Sequence, residues 1–264
     1  MWCCSSTPQP GFEVAFAASC ARTWARGLTT YYAYNPAGDL AAVNYDDNQT
    51  PGVTHTYDRR GRRLSGGGDG PSPASSFTYN AAGQITSETF ANGLSLTNTY
   101  DSLLRRSSLT ALSPIAGTLS ASLYSYDSAS RLSTVSDGTN TATYTYVANS
   151  PLVGQIAFTQ SGQPRMTTTK QYDALNRLTS IVSLPIRQTP DPISFAYDYN
   201  SANQRTRVTH ADGSYWIYQY DTLGQVISGK RFWPDGTPVA GQQFEYGFDD
   251  IGNRQTAAPV GQAS

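Results

Sequence analysis

Aromatic residues occur in alternating pairs along this chain, with one small or polar residue between the two rings. Such pairs recur from near residue 30 to the end of the chain, at 32/34, 77/79, 124/126, 144/146, 197/199, 218/220 and 246/248. A period of two places both rings on one face of a β-strand. The pattern therefore predicts a succession of strands that share an aromatic face.

Most of these pairs run into a turn signal that is a variant of Tyr-Asp-x-x-Gly-Arg at residues 57–62. Asp or Asn after the aromatic residue accepts a hydrogen bond from the N–H two residues on, and Gly or Asn three residues later tolerates the left-handed conformation. Leu104 and Ser130 occupy that last position in two copies, which predicts that those two turns are built differently. The residues that define the turns are Tyr34, Asn35, Gly38, Tyr57, Asp58, Gly61, Tyr79, Asn80, Gly83, Tyr100, Asp101, Tyr126, Asp127, Tyr172, Asp173, Asn176, Tyr199, Asn200, Asn203, Tyr220, Asp221, Gly224, Phe248, Asp249 and Gly252.

The regular spacing of these signals indicates a repeat protein of about ten units, one of them a degenerate copy around residues 144–156. A second turn signal lies between the strands of several units, at the dipeptides 92–93, 137–138, 212–213 and 235–236, each Asn-Gly or Asp-Gly. Two turns per unit imply two strands per unit. About twenty consecutive antiparallel strands cannot stay flat, so we expect a curved or spiralling sheet.

The repeat pattern divides the chain into three parts. Residues 1–29 form a non-repeat N-terminal segment, 30–254 the array, and 255–264 a polar tail. Spacing within 12–24 fits either a short helix or a strand. The inserts 66–73 and 184–192 are predicted to be loops at one rim of the array.

Composition agrees with strands and turns and argues against nucleic acid as a partner. The chain has 264 residues, 18 of them Tyr and 23 Gly, with 14% charged residues and a net charge of −1. So small a net charge gives no electrostatic basis for binding nucleic acid. We interpret the densest basic cluster, Arg59, Arg60, Arg62 and Arg63, as a solvated turn in preference to a phosphate or polyanion site.

The three cysteines, Cys3, Cys4 and Cys20, all lie in the N-terminal segment. No histidine is near them in the sequence, which argues against a metal site. One disulfide with a remaining thiol and three reduced thiols are both open. The residues before Cys20 do not form a convincing signal peptide, and no apolar run is long enough for a membrane-spanning helix.

Candidate catalytic chemistry is sparse. His55 and His210 are the only histidines, and both lie in predicted strands. The aspartates, including the adjacent pairs at 46–47 and 249–250, are accounted for as turn formers and not as a glycosidase pair. The chain shows no nucleophile elbow, phosphate loop, metal-ligand spacing or dinucleotide fingerprint. We therefore expect no catalytic site, no cofactor and no metal.

The repeated unit resembles the YD repeats of the RHS (rearrangement hotspot) family, which are related to repeats of bacterial Tc toxin C components and of teneurins. The resemblance covers residues 30–254 and is specific because several variants of the Tyr-Asp-x-x-Gly-Arg unit at 57–62 stand in register. It implies a β-sheet wound into a hollow shell that encloses a polypeptide, often a toxin, in a secreted or cell-surface protein. The chain has no Asp-Pro-x-Gly core motif and fewer repeats than a closed shell needs, so we expect an open part of a shell that requires flanking shell sequence or further chains.

Two functions follow as expectations. The first is a non-catalytic structural scaffold, a segment of an RHS-type β-shell that encloses or displays a polypeptide. The alternative is an extracellular carbohydrate- or cell-surface-binding module that uses exposed aromatic rings such as Trp216 and Trp233, although packing within the sheet is the simpler account of both residues. An enzyme would need a constellation of residues that the sequence does not reveal.

Overall fold

The computed structural model describes residues 2–5, 18–47, 49–68, 75–186 and 192–259. All regular elements within these ranges are β-strands, 22 in number, and the same ranges contain no helix. The expectation of an all-β chain built from about twenty antiparallel strands is confirmed.

The chain divides into two compact units, Met1–Tyr124 and Ser125–Ser264, and the division falls within strand β11. The strands that begin in the first unit are β1 (Trp2–Ser5), β2 (Ala18–Thr23), β3 (Thr29–Tyr34), β4 (Leu40–Tyr45), β5 (Val53–Tyr57), β6 (Arg63–Gly68), β7 (Ser75–Tyr79), β8 (Ile85–Phe90), β9 (Ser95–Tyr100), β10 (Arg106–Ser113) and β11 (Gly117–Tyr126).

The second unit continues with the same alternation of strand and turn. Its strands are β12 (Leu132–Ser136), β13 (Asn140–Tyr146), β14 (Val153–Gln160), β15 (Gln163–Tyr172), β16 (Leu178–Pro185), β17 (Ile193–Tyr199), β18 (Arg205–His210), β19 (Tyr215–Tyr220), β20 (Val226–Phe232), β21 (Pro238–Phe248) and β22 (Arg254–Pro259).

Each of the two compact units is a simple antiparallel meander. In the first, consecutive strands pair from β1–β2 through to β10–β11. In the second, they pair from β12–β13 through to β21–β22. Because every strand contacts its sequence neighbours, the stability of each unit depends on nearest-neighbour interactions, as in other repeat proteins.

A bulge accompanies the turn at the end of each aromatic strand. In the β5–β6 pair, Thr56 lies opposite Ser65 and Tyr57 opposite Arg63, so Leu64 has no partner. One extra residue on the returning strand is the expected consequence of a left-handed residue in the turn. The same register shift occurs before Tyr34, Tyr79, Tyr172, Tyr199 and Tyr220.

The two faces of the strands differ in burial as the aromatic spacing predicts. In β17, Tyr197 and Tyr199 are half-buried and Asp198 between them is exposed, and β13 alternates in the same way. We call the side that carries these rings the tyrosine face. Fully buried apolar residues are few among the described ranges: Ala33, Ala41 and Ala42 in the first unit and Val208 and Val239 in the second. Each unit therefore has little conventional core.

The structure changes two expectations from the sequence and leaves a third untested. The spacing of apolar residues within 12–24 also fitted a helix, but Cys20 lies in strand β2, so this part of the segment is not helical. Residues 6–17 lie outside the described ranges. The predicted insert loops are too long, because residues 66–68 belong to β6 and 184–185 to β16; 69–74 and 187–191 are also outside the described ranges. The boundaries of the repeat array at residues 29 and 254 remain predictions, because paired strands lie on both sides of each.

Candidate functional site

The candidate site is the row of turns that follow the aromatic strands, here called the Tyr-Asp turns. In the turn 58–62, the N–H of Asp58 donates to the carbonyl of Arg62 at 2.9 Å and the N–H of Gly61 donates to the carbonyl of Asp58 at 3.0 Å. The Asp58 Oδ1 atom accepts from the N–H groups of Arg60 and Arg62 at 2.8 and 3.0 Å. The same pair of backbone bonds closes the turns 35–39, 80–84, 101–105, 127–131, 173–177, 200–204, 221–225 and 249–253.

The fourth residue of every one of these turns is left-handed. Gly61, Gly83 and Gly224 have φ of +73°, +86° and +84°. Leu104 and Ser130 have φ of +62° and +61° and make the same backbone bonds, so the prediction that their turns differ is wrong. The Asp side chain and the two backbone bonds stabilise the turn enough to hold a residue with a Cβ in a conformation that is disfavoured by roughly 1–2 kcal/mol.

The second carboxylate oxygen pairs with the side chain at the fifth position of the turn. Arg177 Nε donates to Asp173 Oδ2 at 2.6 Å, and the turns 58–62, 101–105 and 127–131 contain the equivalent ion pair. In two turns that begin with Asn, the fifth residue is Gln: Asn200 Nδ2 donates to Gln204 Oε1 at 2.7 Å, and Asn80 pairs with Gln84 in the same way. In the turn 35–39, Asn35 Nδ2 donates to Asp39 Oδ2 at 3.0 Å. The turns thus reach one geometry with several polar pairs.

These interactions hold the turn aspartates in the ionised state. The N–H of Arg177, hydrogen-bonded to the carboxylate, is the main cause that lowers the pKa of Asp173, and the Arg177 side chain adds to the effect. The pKa values of Asp58, Asp101 and Asp127 are lowered by the same kinds of contact. Their oxygen atoms are committed to the turns, which agrees with the interpretation of these aspartates as structural.

Most of the tyrosines at the ends of the aromatic strands also contact the preceding repeat unit. The Tyr199 hydroxyl donates to the carbonyl of Leu178 at 2.8 Å, two residues after the left-handed Asn176. Equivalent bonds of 2.6–3.0 Å are made by the hydroxyls of Tyr57, Tyr79, Tyr100, Tyr146, Tyr172 and Tyr220. Each hydroxyl satisfies a carbonyl at the start of a strand about one unit earlier, where the bulge perturbs the ladder.

The fifth residue of the turn reaches in the opposite direction, toward the following unit. The Arg177 guanidinium lies over the Tyr199 ring at 4.9 Å, and its Nη1 donates to the carbonyl of Asn200 at 3.2 Å. Arg62 makes the same two contacts with Tyr79 and Asn80, and Arg131 lies over the Tyr146 ring and donates to the carbonyl of Ser150. These pairs of neighbouring turns are therefore linked in both directions. Sequence reasoning missed these links, although the recurrence of Arg or Gln five residues after most of the tyrosines was the available signal.

At the other ends of the strands, Gly-containing turns join neighbouring strands, as predicted. In the turn that contains Asp212, the N–H of His210 donates to the carbonyl of Ser214 at 2.8 Å and Gly213 has φ of +79°. Arg231 Nη2 donates to the fully buried Ser214 hydroxyl at 2.9 Å, which itself donates to Asp212 at 2.6 Å. This cluster ties the edge turn to strand β20.

The two tryptophans proposed as stacking platforms occupy different environments. The Trp216 ring is half-buried and stacks on Tyr218 and Phe244, each with centroids 6.2 Å apart. Gly229 is paired with Tyr218 on one neighbouring strand and with Phe244 on the other, so the rings pack over a position with no side chain. Trp233 lies in the turn after β20 and is 46% exposed. The geometry of Trp216 favours packing.

The two histidines lie on strands, apart from any assembled catalytic group. His55 is opposite Gly66 on β6, and burial with repulsion from Arg63 lowers its pKa. His210 packs edge-on against Phe195 at 5.3 Å. Within the described ranges, no three His, Cys, Asp or Glu side chains lie together as metal ligands. No helix in the same ranges is long and apolar enough to cross a membrane.

Cys20 is disulfide-bonded, and Cys4 is its opposite neighbour in the β1–β2 ladder. Of the two possibilities that the sequence left open, the structure has the disulfide. Such a bond is typical of proteins that fold in an oxidising compartment.

The chain was compared with known families and proteins. The family model described as RHS Repeat matches residues 199–231, from the last residue of β17 through most of β20. None of the curated protein sequences matches the chain significantly.

Solved Tc toxin structures share the fold. The chain resembles the TcdB2-TccC3 complex without its hypervariable C-terminal region (TM-score 0.57, 16% identity, covering 92% of this chain and 14% of that one). It is equally similar to the Photorhabdus luminescens Tc holotoxin pore (TM-score 0.57, 16% identity, 93% and 15%). The chain thus spans about one seventh of the chains it matches. The chain therefore has the fold found in Tc toxin complexes, and its residues 199–231 match the RHS Repeat family model.

Proposed function

We propose that this chain is a non-catalytic structural scaffold, a segment of an RHS-type β-shell that encloses or displays a polypeptide in a secreted toxin-delivery or cell-surface protein. The observation that carries the proposal is the two-way linkage of the Tyr-Asp turns, in which Tyr199 bonds to the unit before it and Arg177 to the unit after it. Within each compact unit, such linkage joins neighbouring turns in a way that does not depend on a deep core.

The exposed apolar surface supports a role in which other protein covers the sheet. Leu119, Leu123 and Ile193 on the strands are more than half exposed, and the described ranges contain few fully buried apolar residues. Apolar surface of this kind is unfavourable in water and is typical of faces that meet protein. Flanking shell sequence, further chains or an enclosed toxin polypeptide are the partners that this proposal requires.

The experiment compares the natural full-length gene product that contains this segment with two variants. In the first, Tyr172, Tyr199 and Tyr220 are replaced by Phe, which removes only the hydroxyls that link units. In the control, Tyr197 and Tyr218 are replaced by Phe; these lie on the same face. Limited trypsin digestion with mass spectrometry then measures how fast each part of the product is cleaved.

We expect a polypeptide that resists trypsin in the wild type and in the control and becomes accessible in the linkage variant, because weakening the array opens the shell. Electron microscopy of the wild type should show a hollow particle. A product without a protected polypeptide, or with no hollow particle, would rule out the enclosing role. Steady turnover of a small substrate by the isolated segment would rule out the non-catalytic role.

A further inference from the structure

One Tyr-Asp turn differs from all others in a way that the fold does not require. The second and third positions of the turn 58–62 are Arg59 and Arg60, and both are exposed. The other turns carry small, apolar or hydroxyl residues there, with one Asp, at 36–37, 81–82, 102–103, 128–129, 174–175, 201–202, 222–223 and 250–251. All nine turns close with the same backbone bonds, so the two arginines are not needed to form the turn.

The arginines of this turn are committed to very different degrees. Arg62 is fully engaged, with its guanidinium against Asp58 at 2.6 Å and its Nη1 donating to the carbonyl of Asn80 at 3.2 Å. Arg60 makes a single long bond, from Nη1 to the carbonyl of Ala81 at 3.3 Å. Arg59 has neither a hydrogen bond nor an ion pair with any part of the chain that the structure describes. A guanidinium has five N–H donors, so most donors of Arg59 and Arg60 are available.

These side chains line a cleft between two consecutive turns. The cleft is shallow and open to solvent, has a volume of about 430 Å³ and is bounded by Asp58, Arg59, Arg60 and Arg62 on one turn and by Tyr79, Asn80 and Ala81 on the next. Its floor is ordered, because Arg62 lies 4.6 Å over the Tyr79 ring and bridges the two turns. The cleft therefore combines a rigid base with two adaptable cationic side chains at its mouth.

The local charge is strongly positive although the whole chain is not. Residues 58–63 contain four arginines and one aspartate, and the following turn 80–84 contains no charged residue. A further carboxylate, Asp39, lies beside this turn: its Oδ1 is 3.7 Å from the position that a Cβ on Gly61 would take, and its Oδ2 accepts a hydrogen bond from Asn35. Guanidinium groups match the geometry of tetrahedral and planar oxyanions, with which they form paired charge-assisted hydrogen bonds.

We propose that this cleft binds sulfate groups of an anionic polysaccharide, with Arg59 and Arg60 as the contacting residues. A net charge of −1 and the small extent of the basic cluster, four arginines within residues 58–63, disfavour nucleic acid, which binds along extended basic surfaces. The Cys20 disulfide indicates an oxidising, extracytosolic setting, in which sulfated glycans are accessible polyanions. This site is separate from the structural role of the other turns and does not depend on it.

The test measures binding of a heparin octasaccharide to the full chain by surface plasmon resonance at several salt concentrations. Arg59→Ser with Arg60→Ala gives this turn the residues found at 128–129, so the turn is expected to fold unchanged; circular dichroism verifies this. Loss of two charge-assisted contacts should raise the Kd roughly tenfold or more and flatten its dependence on salt.

A charge-matched control separates the site from net charge. It adds Thr222→Arg and Leu223→Arg to the double variant, which restores the wild-type charge on a turn whose fifth residue is Gln225 and not an arginine, and it should bind as weakly as the double variant. Equal binding by the double variant, recovery in the charge-matched control, or equal binding of a fully desulfated octasaccharide would each overturn the proposal. So would preferential binding of anionic lipid vesicles or single-stranded DNA over the octasaccharide, or no binding at all.

Discussion

Leu104 provides a direct test of the physical account of the Tyr-Asp turns. Its φ of +62° is in the left-handed region, whereas its neighbour Leu103 in the same turn is not among the residues with positive φ. The two leucines have the same side chain and similar exposure, 54% and 63%. Replacing each by Gly therefore removes nearly the same side chain from two conformations that differ only in backbone strain.

The magnitudes follow from three contributions. Removing a leucine that is about half-buried costs roughly 1 kcal/mol of burial at either position, and Gly lowers stability by a further 0.4–1 kcal/mol, approximately, through the unfolded state. At Leu104 alone, Gly also relieves about 1–2 kcal/mol of left-handed strain. We expect Leu103→Gly to destabilise the first unit by about 1–2 kcal/mol and Leu104→Gly to leave it within about 0.5 kcal/mol of wild type.

The assay must report local stability, because unfolding of a repeat array need not be two-state. Hydrogen exchange with mass spectrometry, across a urea series, yields opening free energies for peptides from β9 and β10, which flank this turn. Peptides from the second unit serve as an internal reference. Equal destabilisation by the two substitutions would refute the reasoning, since it would mean that Leu104 bears no conformational strain.

Three further predictions concern other parts of the array. Tyr199→Phe should cost about 1 kcal/mol in urea denaturation because it removes a bond to a carbonyl, while Tyr197→Phe on the same face should cost almost nothing; equal effects would contradict the linkage. Because contacts lower the pKa of Asp173 in the fold, its stabilising effect is present above the unfolded pKa near 3.8 and is lost as the pH falls through the folded value. Asp173→Asn should therefore reduce the loss of stability below about pH 4, and an unchanged acid profile would refute this. Trp216→Ala should lower stability by about 2 kcal/mol, since it empties a stacked cluster, whereas Trp233→Ala in an exposed turn should change it by less than about 0.5 kcal/mol; the same denaturation series decides between them.

The repeat and its strands could be predicted from the sequence because both depend on local rules. Alternating aromatics specify the face of a strand, and Asp followed by Gly specifies a turn, so the unit at Tyr220, Asp221 and Gly224 is legible without any knowledge of its neighbours. Leu104 and Ser130 were predicted wrongly because propensity alone disfavours them in left-handed turns. The surrounding hydrogen bonds override that preference.

The recurrence of Arg or Gln indicated a role for that position, but the partners of the contacts between repeat units could not be read from the chain, because they lie some 14 to 26 positions away. The partner of the Tyr199 hydroxyl is set by the bulge that places the Leu178 carbonyl within reach, and a bulge is a property of two paired strands. Likewise, only the juxtaposition of two turns gives Arg59 and Arg60 a cleft, since in the sequence they are merely a basic run. The sequence by itself determined the unit, its strands and its turns; the tertiary structure decided how the units are coupled, because coupling depends on which turns the sheet brings together.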